Sequence, residues 1–295
     1  MSIFDAAALS LPANILIFLL AAGAIWLAGP QLARAADAIA EHTGIGSALA
    51  GLLILSFITA LPETAVSVSA GASGNSRLSV NNILGSIAFQ VVVLAIGDAV
   101  LRRRPLSASA PSQMLLLEAV FSAMLLCMVA AAITVGDFAV VGVGVWSTVL
   151  LLGVVAAYAV LSRYQERAGA AFPEREEGLI PESQPAISLS AAGGRVALTA
   201  AVILVAGYAL AATSDALAEQ TGIGQSFMGA VFTSTSTSLP EVATVVAAVR
   251  LRRYVMAFSN IFGANIYDIA LIFLIDLAYP GGPVLGDVGA FAAFG

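Results

Sequence analysis

The chain predicts an all-α membrane protein built from two inverted repeats, and three observations lead there. Hydrophobic residues make up 60% of the 295 and charged residues only 10%, with a mean hydropathy of +0.98; a soluble domain carries about 25% charged residues. Apolar runs long enough to span a bilayer, which takes roughly 20 residues, recur along the sequence. And one stretch occurs twice: Phe57–Gln90 returns as Thr235–Asp268, offset by 178 residues without a gap. The correspondence begins earlier, at Asp37–Gly46 against Asp215–Gly224.

Taken in order, the first element is a spanning helix over about 12–35. The N-terminus is not read as a signal peptide, because it lacks a basic start, carries Asp5 and has too long an apolar run. Further helices are expected near 46–71, 78–101, 113–133, 138–162, 195–217, 224–249 and 254–278. The polar stretch 163–194 joins the two halves as a solvated linker, giving a first repeat over 1–164, a linker over 165–193 and a second repeat over 194–295. Five expected helices precede the linker and three follow it. A complete second half would need about two more, so the second repeat looks incomplete.

Orientation follows from arginine, which supplies all 12 positive charges. Alternating loops place Arg34, Arg102, Arg103, Arg104, Arg163, Arg167, Arg175, Arg195, Arg250, Arg252 and Arg253 on one side and Arg77 alone on the other. The positive-inside rule makes the crowded side cytoplasmic. The N-terminus is then outside, and the second repeat enters the membrane with opposite polarity.

Several function classes drop out. Cys127 is the single cysteine and His42 the single histidine, so an intrachain disulfide and metal motifs built on Cys or His are absent. No nucleophile–base pair suggests an intramembrane enzyme, no cofactor is implied, and a net charge of −6 gives no reason to expect nucleic acid. The expected partner is the lipid bilayer.

The repeated Leu-Pro-Glu carries the chemistry. Pro62 and Pro240 lack an N–H, so the carbonyls of Ile58 and Ser236 lose their usual helical partners. Free carbonyls at membrane depth survive only where protein, water or an ion satisfies them. One residue past each proline stands an acid, Glu63 or Glu241. Thr59 lies four residues before Glu63, and Thr237 and Ser238 four and three before Glu241, on the same helical face. Ser86 and Gln90, with Asn265 and Asp268, add oxygens from the following helices. An all-oxygen cluster with three carboxylates suits a hard cation such as Ca²⁺, which takes six to eight oxygens. Intramembrane acids are costly and mark function. Asp98 and Asp276 also correspond across the repeats but are expected at the interface. Asp37, Glu41, Asp215 and Glu219 are read as caps or solvated groups flanking helix starts, Gly44, Gly46, Gly222 and Gly224 as turn residues, and Gly85 and Gly263 as helix-packing residues. Glu118 has no counterpart and no assigned role.

These segments resemble the α-repeats of the calcium/cation antiporter superfamily, in its sodium/calcium exchanger branch. The second copy reads Thr237-Ser238-Leu239-Pro240-Glu241, then Asn260-Ile261-Phe262-Gly263-Ala264-Asn265-Ile266-Tyr267-Asp268; the first reads Thr59-Ala60-Leu61-Pro62-Glu63, then Asn82-Ile83-Leu84-Gly85-Ser86-Ile87-Ala88-Phe89-Gln90. The resemblance implies exchange of Ca²⁺ against Na⁺ by alternating access, in the cell's inner (plasma) membrane. It also implies Glu63 and Glu241 as central calcium ligands, backbone carbonyls from Thr59 and Thr237, one flanking sodium site helped by Ser56, Ser86 and Ser238, and another by Ser234. Ala60 and Ala264 lack the hydroxyl of the family pattern, and Gln90 and Ile87 replace asparagines. These departures leave H⁺ open as the coupling ion, since a buried carboxylate can carry a proton. A passive channel is the remoter reading, because channels commonly form their pore by oligomerisation.

Overall fold

The computed structural model describes residues 5–43, 56–101, 105–109, 112–140, 142–171 and 188–288. The start of the helix expected from 46, the turn glycines Gly44 and Gly46, Arg102–Arg104 and the linker over 172–187 lie outside the described residues, as do the side chains of Arg34, Asp37 and Glu41. Helices dominate: α1 (Leu11–Thr43), α2 (Ser56–Thr59), α3 (Leu61–Ala72), α4 (Ser76–Leu101), α5 (Gln113–Val135), α6 (Val145–Ala171), α7 (Leu189–Thr221), α8 (Ser234–Thr237), α9 (Leu239–Arg250) and α10 (Tyr254–Ala278). A π-helical turn, Met228–Thr233, leads into α8. Among the described residues six helices are long and apolar enough to cross a membrane, and the two Leu-Pro-Glu segments are helices broken in mid-course.

Side-chain distribution is the reverse of a soluble protein's. Leu16, Leu19, Leu27, Leu116, Leu152 and Val205 stand on the outside, where lipid would meet them, while Glu63, Glu241, Asp268, Asn82 and Asn260 are fully buried. In a bilayer the apolar solvent is outside, so polar groups must find their partners within. Apolar packing gathers α4, α5, α6 and α10 in one cluster, through Ile83, Ile87, Leu125, Val154, Ile269 and Ile272 among others. A second cluster joins α1, α3 and α7.

Helix limits depart from expectation in physically readable ways. Both α1 and α7 run for 33 residues, where about 23 were expected from hydropathy. At 1.5 Å per residue each is about 50 Å long, well over a hydrocarbon core of about 30 Å. They pack along one another, and each lies across the other repeat's broken helix, α1 on α9 and α7 on α3. Asp215 is therefore no cap at a helix start. It sits inside α7 and accepts 2.8 Å hydrogen bonds from Asn75 Nδ2 and Gln225 Nε2, whereas Glu219 is exposed as expected. Gly222 ends α7 in the left-handed region, at φ 73°. The helix expected from 138 begins only at Val145, after a hairpin that pairs Ala139 with Gly144 and Val140 with Val143. Asp137 causes the delay, taking the N–H groups of Phe138 and Trp146 on one oxygen.

The repeat shows in the caps. Asp98 accepts the N–H of Leu106 at 2.6 Å, and Asp276 that of Val284 at 2.6 Å, eight residues on in both cases. Asp98 is exposed at its helix end, as the interfacial reading requires. Asp276 corrects that reading: it is 3% exposed and also holds the hairpin through Gly144 N at 2.6 Å. Gly85 permits the closest crossing. A Cβ there would lie 2.6 Å from the Ala230 Cα and 2.7 Å from Ser234 Oγ, so only glycine lets α4 touch the π-helical turn.

Candidate cation-binding site

Leu-Pro-Glu does more than kink a helix. The helix stops at Thr59, passes through Ala60 at φ −79°, ψ 6°, and restarts at Leu61. The second copy does the same through Ser238 at φ −83°, ψ 9°. Proline and glutamate then occupy the first turn of a new helix, where the missing N–H costs nothing and an acid faces the positive end of the helix dipole. Each restarted half-helix packs against the spanning helix of the other repeat, α3 against α10 and α9 against α4, so that both repeats wall one space.

All ten residues singled out from the sequence are fully buried: Ser56, Thr59, Glu63, Ser86, Gln90, Ser234, Thr237, Ser238, Glu241 and Asp268. Around Glu63, Ser238 Oγ donates to Oε1 at 2.9 Å and Ser86 Oγ to the same oxygen at 3.3 Å. Thr237 Oγ1 lies 3.4 Å from Ser86 Oγ and donates to the Ser234 carbonyl at 3.0 Å. Ser234 Oγ turns to the Ala230 carbonyl at 2.6 Å. Gln90 Nε2 donates to Asp268 Oδ2 at 3.2 Å. Gln90 and Asp268 are repeat equivalents that touch each other, which places them on the pseudo-twofold axis relating the repeats.

Glu241 has no such support. Neither of its oxygens has a hydrogen-bond partner. Thr59 lies beside it, but the Thr59 hydroxyl is directed to the Ser56 carbonyl and to Asn260 Oδ1, at 3.3 Å each. The repeat explains the difference. The serines that hold Glu63 are Ser238 and Ser86; their counterparts beside Glu241 are Ala60 and Ala264, fully buried methyls with nothing to donate.

Glu63 Oε2, both Glu241 oxygens, Asp268 Oδ1, Gln90 Oε1, Asn82 Oδ1 and Asn265 Oδ1 are all buried without a partner. Buried carboxylate oxygens without partners are among the costliest arrangements available, and a cation is what would relieve them. Among the described residues no three acids, histidines or cysteines are drawn together tightly enough to hold a metal by themselves. A bound ion would therefore draw hydroxyl, amide and main-chain oxygens into its shell, as hard cations do.

The sequence reading left two groups without a role. Asn82 and Asn260 cross-link helices, Asn82 Nδ2 to Ser67 Oγ at 3.0 Å and Asn260 Nδ2 to Thr244 Oγ1 at 3.1 Å; their shared position in the repeat was the available signal. Glu118 is fully buried on α5 and accepts from Ser259 Oγ of α10. As the sole acid in its apolar run it could have been expected to face a neighbouring helix.

The sodium/calcium exchanger protein family matches residues 13–164 and 192–279. The chain belongs to that family. Its homologues there are transporters, and the chain is a multi-pass membrane protein of the same kind. Inner membrane protein YrbG of Escherichia coli (strain K12) is 28% identical over 243 residues, covering 82% of this chain and 72% of YrbG. The sodium-calcium exchanger NCX_Mj, soaked with 2.5 mM Na⁺ and 0.1 mM Ca²⁺, superposes with a TM-score of 0.62 at 17% identity, covering 95% of this chain and 88% of that one. The same exchanger soaked with zero Na⁺ and Ca²⁺ gives 0.58 at 19% identity. The family fold, all-helical and built from an inverted pair, is thus the fold of this chain.

Proposed function

We propose that this protein exchanges Ca²⁺ against Na⁺ across the cell's inner (plasma) membrane by alternating access. The observation that carries the reading is the set of buried, partnerless oxygens on Glu63, Glu241 and Asp268, contributed by both inverted repeats. Glu63 and Glu241 are the central divalent ligands, aided by carbonyls of Thr59 and Thr237 at the helix breaks. Ser56, Ser86 and Ser238 serve a flanking sodium position, Ser234 contributes to a second, and Gln90 and Asp268 lie on the axis between. The name of the Escherichia coli relative supports the choice of membrane. H⁺ is the second coupling ion to consider, because Ala60 and Ala264 remove hydroxyls where a second Na⁺ would need them. Purified protein in proteoliposomes, with Na⁺ and H⁺ gradients set independently, is expected to show Ca²⁺ uptake driven by outward Na⁺. Uptake that follows only the proton gradient would assign the coupling to H⁺, and uptake following neither would reject antiport.

The repeat units 1–164 and 194–295 and the linker 165–193 carry an orientation with them. We place the N-terminus outside and both arginine clusters, Arg102–Arg104 and Arg250–Arg253, in the cytoplasm. A cysteine at position 103 should resist an impermeant thiol reagent on intact cells and react after permeabilisation. Labelling from outside would reverse the assignment.

A further inference from the structure

Asn82 and Asn260 are repeat equivalents, and so are Thr59 and Thr237, with the same residue types in both halves. Their contacts are nevertheless unequal. Asn260 Oδ1 receives the Thr59 hydroxyl from the opposite repeat at 3.3 Å. Both hydroxyls also reach the carbonyl three residues back, Thr59 that of Ser56 at 3.3 Å and Thr237 that of Ser234 at 3.0 Å, but the mirror contact, Thr237 to Asn82, is unmade and Asn82 Oδ1 is buried without a partner. On their amide side the two asparagines behave alike, each held by a hydroxyl of its own repeat's preceding helix, Ser67 on α3 or Thr244 on α9. The neighbours are not all shared, since Ser86 beside Thr237 has Ala264 as its counterpart, but the asparagines and threonines themselves could make either cross-repeat contact.

We infer that Thr59–Asn260 and Thr237–Asn82 form a pair of alternating latches, of which the first is closed and the second open. Each asparagine stands six residues into its helix, about 9 Å from the preceding turn at 1.5 Å per residue. Asn82 thus lies between the α3–α4 turn and Ser86, and Asn260 between the α9–α10 turn and Asp268. Inverted repeats put these two turns at opposite ends of the bundle. The closed latch ties α2 to α10 at the α9–α10 end, while toward the other end the Asn82 carbonyl oxygen is left without a partner. In the opposite state Thr237 would close on Asn82 and Asn260 Oδ1 would be released. The inference rests on alternating access as proposed above, and it makes both asparagines positioning residues.

The test uses full-length protein in detergent, where a thiol reagent reaches both ends, with Cys127→Ala to remove the native thiol. Ser79→Cys and Ala257→Cys are repeat-equivalent reporters, each one turn nearer the helix start than its asparagine. Without Ca²⁺, Ser79→Cys should react faster than Ala257→Cys. Asn260→Ala should slow the first and speed the second by roughly two- to tenfold, the range for one lost hydrogen bond. Asn82→Ala should move both the other way. Thr59→Val deletes the same latch as Asn260→Ala without changing side-chain volume and should copy its signs, which covers the case in which Asn260→Ala fails to fold. A merely structural role would loosen both ends together, so same-direction changes, or none, overturn the inference. Opposite-sign labelling in a protein that moves no Ca²⁺ would instead keep the latches and reject the proposed cargo.

Discussion

Glu63→Gln and Glu241→Gln are each expected to reduce divalent transport by two to three orders of magnitude, with the protein still folded. In the proposed exchange two carboxylates from opposite repeats would share one ion, so either change would halve the glutamate charge around it. A unit charge about 4 Å away contributes roughly 4 kcal/mol at an effective dielectric constant near 20, equivalent to about a thousandfold in affinity. Glutamine preserves shape and a carbonyl oxygen, so Ser86 and Ser238 keep an acceptor at position 63. Folding should suffer little, because neutralising a buried orphan charge removes a cost in the ion-free state. ⁴⁵Ca²⁺ uptake into proteoliposomes, with monodispersity by size-exclusion chromatography as the folding control, measures both halves of the claim. Near-normal uptake by either variant would end the shared-ion reading.

Ala60→Ser with Ala264→Ser should steepen the dependence of exchange on Na⁺. The double change gives Glu241 the two hydroxyl neighbours that Glu63 already has, from the equivalent positions. A dehydrated Na⁺ beside two methyls lacks two ligands, and desolvation without replacement is costly. Each restored oxygen is worth about 1 kcal/mol, so the apparent Na⁺ affinity of the double variant should rise about tenfold or more. The Hill coefficient for Na⁺ should rise with it. A coefficient near three in the unmodified protein would show that water or main-chain carbonyls already fill the gap, and would defeat the argument from the methyls.

Local chemistry made most of the fold legible in advance. Spanning helices follow from the hydropathy of twenty-odd residues at a time, and the break before Glu63 and Glu241 from one missing N–H and one ring clash. The repeat appears in an ungapped self-comparison, and with it the ten buried residues of the candidate site. Even the alanines at 60 and 264 are visible as departures from their serine counterparts.

Other features depended on neighbours far along the chain. α1 and α7 extend beyond their apolar windows because they pack along one another, which a window on a single helix does not contain. Asp276 reads as a helix-end acid until the Gly144 N–H arrives from 132 residues away. That Ser238 of one repeat serves Glu63 of the other depends on how the halves interleave, as does the meeting of Gln90 with Asp268 on their common axis. The unequal threonine–asparagine latches were beyond any reading of composition or spacing. The threonines and asparagines are the same in both repeats, and only the three-dimensional arrangement, which sets unlike neighbours such as Ser86 and Ala264 around them, shows which of the two contacts is made.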